Sequence, residues 1–191
     1  MRAQYLPRIS LFLLTLLFPA YSAAEEIGPS KVLEKLVAEL KKSGEPAVIV
    51  DYVHWPTAWK ALKPEEKAMT KSNSPAELKE YFRKFLSDPK KVLRGQIEGH
   101  LVGLDGGDQG AMEERISSII AQVEEQFTQG SEVLVNSEYQ VGKEVIDGYK
   151  AHVELKSSYQ GQSKLESIDF IKIEDHWLLP KMDKLGNSPV R

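Results

Sequence analysis

Asp51-Tyr52-Val53-His54-Trp55 is the densest group of chemically capable side chains in the chain. On a helix, Asp51 and His54 stand three residues apart and share a face. An aspartate that orients an imidazole inside a pocket can serve general acid–base chemistry, so this pair is the candidate catalytic set. The competing reading is a helix-surface pair beside a packed tyrosine and tryptophan, which needs no chemistry at all. The other histidines offer less. His152 projects from a strand on the face opposite Val153, His100 follows a glycine, and His176 falls in a turn. No two of them have the His-x-His or His-x-x-x-His spacing of a metal site, so no metal is expected. Asp105-Gly106-Gly107-Asp108 lacks the spaced acids of a calcium loop. There is no Gly-x-Ser-x-Gly, no phosphate-binding loop and no dinucleotide fingerprint, so no cofactor is expected either. The chain has no cysteine, which excludes thiol catalysis and disulfides.

The elements that would position these residues change period near Gly130. Before it, apolar residues recur at helical spacing; after it, they alternate. Val32, Leu33, Leu36, Val37 and Leu40 form one stripe of a helix that Ser30 can cap and Gly44 can end. Ala47 to Trp55 reads two ways. Its β-branched residues favour a strand, and Pro46 at its start favours a short buried helix, the reading preferred here. Pro56 should end that segment, with Thr57 capping a further turn, and Pro64-Glu65-Glu66 opening another. Ser74, Pro75 and Glu77 form a capping box ahead of a stripe of Leu78, Tyr81, Phe82 and Phe85. Asp88-Pro89 starts a helix with Val92, Leu93 and Ile97 inward, and Leu101 to Leu104 reads as a short strand. A long amphipathic helix follows from Gly110 to Thr128, carrying Ile116, Ile119, Ile120, Val123 and Phe127, and Gln129-Gly130 stops it.

From Val133 the period is two, with Val133, Val135, Ser137, Tyr139 and Val141 on one face and a bulge at Gly142. Asp147-Gly148 predicts a type I′ hairpin. Tyr149, Ala151, Val153 and Leu155 continue the apolar face, opposite Lys150, His152, Glu154 and Lys156. Leu165 to Ile173 reads as a strand buried on both faces, and Trp177-Leu178-Leu179 closes the sheet before Pro180. The predicted fold class is α+β: N-terminal helices packed on a curled C-terminal antiparallel four-stranded meander.

Residues 1–24 have the three parts of a signal peptide. Arg2 and Arg8 precede an apolar run of about ten residues, too short for the roughly 20 that span a bilayer. Ser22-Ala23-Ala24 then places cleavage before Glu25. Residues 25–182 read as one domain and 183–191 as a loose tail. Without residues 1–24, 23 basic face 28 acidic side chains, a net charge of −5 that does not advertise nucleic-acid binding. Export without cysteines points to a bacterial envelope, periplasmic or secreted, with no stable membrane span after cleavage.

Phe170-Ile-Lys-Ile-Glu-Asp-His-Trp-Leu-Leu179 resembles the last hairpin of the nuclear transport factor 2-like superfamily, nearest its small exported bacterial proteins of unknown function. The opening helix with Ser43-Gly44-Glu45-Pro46 resembles the first helical pair of the same group. The resemblance implies a cone-shaped fold whose curled sheet and helices enclose a pocket. Its members include hydrolases, isomerases, dehydratases and non-catalytic modules, so fold alone does not choose between them. The order of signal peptide, helices and terminal meander is also similar to the periplasmic phospholipid carriers of the outer-membrane lipid-asymmetry pathway.

The expected function is a non-enzymatic envelope protein binding a small apolar ligand or a protein partner in a pocket between sheet and helices. Tyr52, Trp55, Trp59, Tyr139, Tyr149, Val153 and Phe170 are the candidate lining. The alternatives are a hydrolase- or isomerase-type enzyme using Asp51 and His54, and a periplasmic lipid carrier. A homodimer through the open sheet face is a further expectation.

Overall fold

The computed structural model describes residues 27–101 and 109–182, with side chains other than those of 97–101 and 109–112. The signal segment, residues 102–108 with their glycine break and paired aspartates, and the tail 183–191 lie outside the described residues. Within them, helices come first and a four-stranded antiparallel sheet of order β1-β2-β3-β4 comes last, so the fold is α+β.

Proline starts most of the helices. Helix α1 (Pro29–Ser43) is followed by a 3-10 helix (Pro46–Tyr52), then α2 (Trp55–Ala61), α3 (Pro64–Thr70), α4 (Pro75–Ser87) and α5 (Pro89–Leu101), each with proline in its first turn. A missing N–H costs nothing there, because the first turn has no internal acceptor for it. Pro56 therefore opens α2 with Trp55, where the sequence reading had it terminate a segment. Gly44 ends α1 in the left-handed region (φ 70°) and donates its N–H to the Leu40 carbonyl at 2.9 Å. The expected cap at the other end is different. Gly28 is the N-cap, and the Ser30 N–H is satisfied by the Glu144 carboxylate of the sheet at 2.7 Å. An anion at the helix N-terminus serves the same purpose as a local serine and also opposes the helix dipole. Ser74 caps α4 as expected, accepting the Glu77 N–H at 3.2 Å, while the Glu77 carboxylate returns to the Asn73 N–H at 2.9 Å rather than to Ser74.

Ala47 to Trp55 divides between its two readings. Pro46–Tyr52 is helical, with Ile49, Val50 and Tyr52 buried. Val53 is extended and forms a parallel bridge with Leu179. The Leu179 N–H reaches the Tyr52 carbonyl at 2.8 Å, and the His54 N–H reaches the Leu179 carbonyl at 2.9 Å. The last residues of the sheet thus tie down the turn that carries the Asp51–Trp55 cluster.

The largest departure from expectation is α6, which runs from Gln109 to Asn136, through Gly130. Glycine in a helix interior costs about 1 kcal/mol relative to alanine. Packing of Leu134 against the core offsets that cost. Val133 and Val135 are therefore helical rather than strand residues. The helix ends at Ser137, which is buried and whose N–H and hydroxyl both bond the Val133 carbonyl. Leu101, the start of the expected short strand, belongs to α5.

Strands β1 (Glu138–Asp147), β2 (Lys150–Tyr159), β3 (Gln162–Ile173) and β4 (His176–Leu178) form a meander. The β1 bulge falls between Val141 and Glu144, as Gly142 predicts. A Cβ at Gly142 would lie 3.1 Å from the Glu154 Cβ, so a side chain there would crowd β2. The first hairpin loop is Gly148-Tyr149, with positive φ at Gly148 only, which is the requirement of a type II′ turn and not of type I′. Gln160 and Gly161 both have positive φ, and theirs is the type I′ loop.

One face of the sheet is sealed. Ala151, Val153, Leu155, Ile168, Phe170 and Trp177 meet Leu33 and Leu36 of α1, Ile49 and Val50 of the 3-10 helix, Trp55, and Leu78 of α4. β3 is buried on this face only: Leu165 is 66 % exposed, while Ile171 and Ile173 are half-buried. The double-sided burial expected for β3 does not occur because no layer covers its second face among the described residues.

Candidate functional site

The structure does not bring Asp51 and His54 together. The extended backbone at Val53 breaks the helical face they were expected to share. Asp51 turns to α4, where its Oδ1 pairs with Lys79 Nζ at 2.9 Å and Arg83 Nη2 at 2.7 Å. The Lys79 hydrogen bond and the charges of Lys79 and Arg83 hold its carboxyl below the ordinary aspartate value, against partial burial that acts the other way. Such a carboxylate is a poor proton acceptor at neutral pH. His54 is the N-cap residue of α2, and its Nδ1 lies 2.7 Å from the Thr57 hydroxyl. Both residues are engaged in local structural contacts.

A second histidine–aspartate pair does form. His152 Nδ1 lies 2.7 Å from Asp169 Oδ1, across the register between β2 and β3 on the uncovered face of the sheet. His152 is exposed there, with Lys150, Glu154 and Lys156 on the same face. Among the described residues no group of three or more metal-ligating side chains is placed to hold an ion. No described helix is long and apolar enough to cross a membrane.

The seven residues expected to line a pocket separate into three environments. Tyr52, Trp55, Val153 and Phe170 are core residues, and Val153 and Phe170 are fully sealed at 0 % and 1 % exposure. Trp59 and Tyr139 are half-buried at the edge of the core. Tyr149 stands in the first hairpin loop, 64 % exposed, and is not on the apolar face at all. Alternation carried it there on paper, but the two-residue loop takes it out of the ladder. The Trp55 indole donates to the Val50 carbonyl at 2.9 Å, which fixes the ring inside the core. The Tyr52 hydroxyl is buried and makes no hydrogen bond of ordinary geometry. Burial first, and the Glu39 carboxylate second, push its pKa well above the usual tyrosine value. At the sheet–helix interface Val153, Leu155, Ile168 and Phe170 pack with Leu33, Leu36 and Val50 at 2 % exposure or less.

Aromatic surface is instead concentrated in the helical layer. Trp55 lies 5.6 Å from Phe82, and Phe82 5.4 Å from Tyr81 in an edge-on arrangement. Tyr81 stacks on Phe85 at 6.1 Å, and Phe85 meets Phe127 of α6 edge-on at 6.0 Å. These separations are those of favourable ring pairs. The ladder starts inside the core at Trp55 and becomes half-buried at Tyr81, Phe82, Phe85 and Phe127. The stripe on α4 was visible in the sequence, but it reads there as core. Nothing in the sequence shows that α5 and α6 leave its outer rings partly uncovered. Trp59 stands near this layer, with Lys67 Nζ 4.5 Å from the ring centroid. The Lys79 and Arg83 partners of Asp51 were also missed, although their four-residue spacing on α4 places them on one face.

The geometry describes an α+β protein with an open meander, a buried core between sheet and helices, and an aromatic ladder along its helices. No protein-family model, curated protein or solved structure matches the chain significantly.

Proposed function

We propose that the protein is a non-enzymatic, exported binding module that recognises an apolar group, on a small ligand or a partner protein, through the aromatic ladder of its helical layer. The observation that carries this reading is the contrast in burial along one connected set of rings. Trp55 is locked in the core, whereas Tyr81, Phe85 and Phe127 keep part of their faces open. Half-buried aromatics supply contact area at little entropic cost, which is why binding surfaces use them. The engagement of Asp51 by Lys79 and Arg83, and of His54 by Thr57, supports a binding role over the acid–base alternative. The side chains filling the sheet–helix interface likewise speak against a carrier that holds acyl chains there. Export rests on the sequence of residues 1–24. Helices followed by a four-stranded meander with Trp177 in its last hairpin support, as part of the same proposal, kinship with the nuclear transport factor 2-like plan.

Photo-crosslinking in the producing cells tests the site. A benzoylphenylalanine in place of Phe85 should give a discrete adduct that Tyr81→Ala weakens. The same probe at Leu165, on the uncovered sheet face, should give none. A strong adduct at Leu165 with none at Phe85 would move the binding surface to the sheet.

A further inference from the structure

We propose that α3 is a releasable strap closed over Trp59, beside the aromatic ladder, and that lifting it uncovers that ring. This rests on the reading of the ladder as a binding surface only for its purpose, because the motion itself is independent of any ligand. The first observation is that α3, seven residues long, contributes no buried side chain. Its one large apolar residue, Met69, is 73 % exposed. The elements beside it are anchored differently: α2 buries Trp55 and Ala58, and α4 buries Leu78.

Among the described residues, two contacts join α3 to its neighbours. The Lys67 ammonium sits over Trp59. The Gln96 side chain of α5 donates from Nε2 to the Met69 carbonyl at 2.8 Å and, at 3.4 Å, to the Tyr81 hydroxyl. Its other hydrogen bonds among the described residues are internal to the segment. The Lys63 N–H reaches the Glu66 carboxylate at 2.7 Å, the Thr70 hydroxyl the Lys67 carbonyl at 3.0 Å, and the Lys71 N–H the Ala68 carbonyl at 3.1 Å.

Both ends are fixed. Leu62 packs against the core on one side, and Ser72, 6 % exposed, is buried on the other. Lys71 lies between, in the left-handed region at φ 52°. Asn, Asp and Gly adopt that region more readily than lysine, and here Lys71 takes it as the C-cap of α3. A seven-residue helix does not persist alone in water, so the lifted strap is a coil tethered at Leu62 and Ser72. Local opening is easiest where few apolar groups are buried, which singles out this segment.

Hydrogen exchange of the purified full chain, read by mass spectrometry, tests the strap. Amides of Lys67 to Lys71 should exchange about 100-fold or more faster than those of Leu33 to Leu40 in α1, as expected of a local rather than a global opening. Gln96→Ala should raise the α3 rate about 5-fold, the worth of one neutral hydrogen bond, and leave α1 unchanged. Acrylamide quenching should rise in the same variant, and the rise should vanish when Trp59→Phe is added, since Trp55 and Trp177 are buried. Exchange of α3 in step with α1 would overturn the proposal. So would fast exchange with no gain in Trp59 quenching, because α3 would then fray without covering anything. If the strap opens but the Phe85 probe captures nothing, the strap stands and the binding role falls.

Discussion

The two aromatic regions of this protein use the same residue types for different ends. Phe170 and Trp177 on the sheet are sealed against α1 and the 3-10 helix. Tyr81, Phe85 and Phe127 in the helical layer are paired with one another and left half-open. The sheet side is closed by two layers meeting face to face. The helical side is built from short proline-started segments, each able to cover only part of its neighbour. Stability therefore concentrates at the sheet, and accessible apolar surface concentrates on the helices. Aromatic content alone does not reveal a binding surface; the number of layers around each ring does.

Substitutions on the two sides sharpen that contrast. Phe170→Ala should destabilise the fold by about 3–5 kcal/mol in denaturant unfolding, the cost of a large core truncation. Equal losses from Phe170→Ala and Phe85→Ala would erase the distinction, because a half-buried ring should cost about 1–2 kcal/mol. Glu144→Ala removes the only side-chain acceptor found for the Ser30 N–H among the described residues and should cost about 1–2 kcal/mol, whereas Glu144→Gln keeps an acceptor and should recover most of it.

Smaller effects follow at the edges. Asp51→Asn should cost at most about 1 kcal/mol, since the ion pairs with Lys79 and Arg83 are largely exposed and screened by salt. Because its folded pKa is lowered, the stability Asp51 contributes is complete above the ordinary aspartate range. It is lost as pH falls through the lowered value, and Asp51→Asn should flatten that part of the acid profile. Tyr52→Phe should change stability by less than about 1 kcal/mol, because the buried hydroxyl it deletes makes no hydrogen bond of ordinary geometry, even though the Glu39 carboxylate acts on it. A marked loss at Tyr52→Phe would mean that the hydroxyl serves the native state in some other way.

Most of the fold was legible because its signals are local. Gly44, Ser74, Asp88 and the alternation from Ala151 to Leu155 each act within a few residues. Misreadings arose where a distant partner decides. Gly130 reads as a stop, yet α6 runs past it to Asn136, with Leu134 packed against the core. Ser30 reads as a cap, yet Glu144 takes that role from β1. Val53 is extended because Leu179 pairs with it from the far end of the chain. The candidate site suffered most. Asp51 and His54 were grouped by spacing, and a single extended residue between them sends the carboxylate to α4 and the imidazole to Thr57. The ladder was legible as a stripe but not as a surface, because spacing does not encode which neighbouring helix covers a ring.

Native mass spectrometry of the protein taken from the cells that make it, followed by solvent extraction, tests the central contrast most directly. A sealed interior predicts the mass of the polypeptide alone after apolar ligands are stripped by replacing Tyr81 and Phe85 with alanine. A lipid or metabolite retained in stoichiometric amount by that double variant would contradict it, because the ligand would then reside between the sheet and the helices.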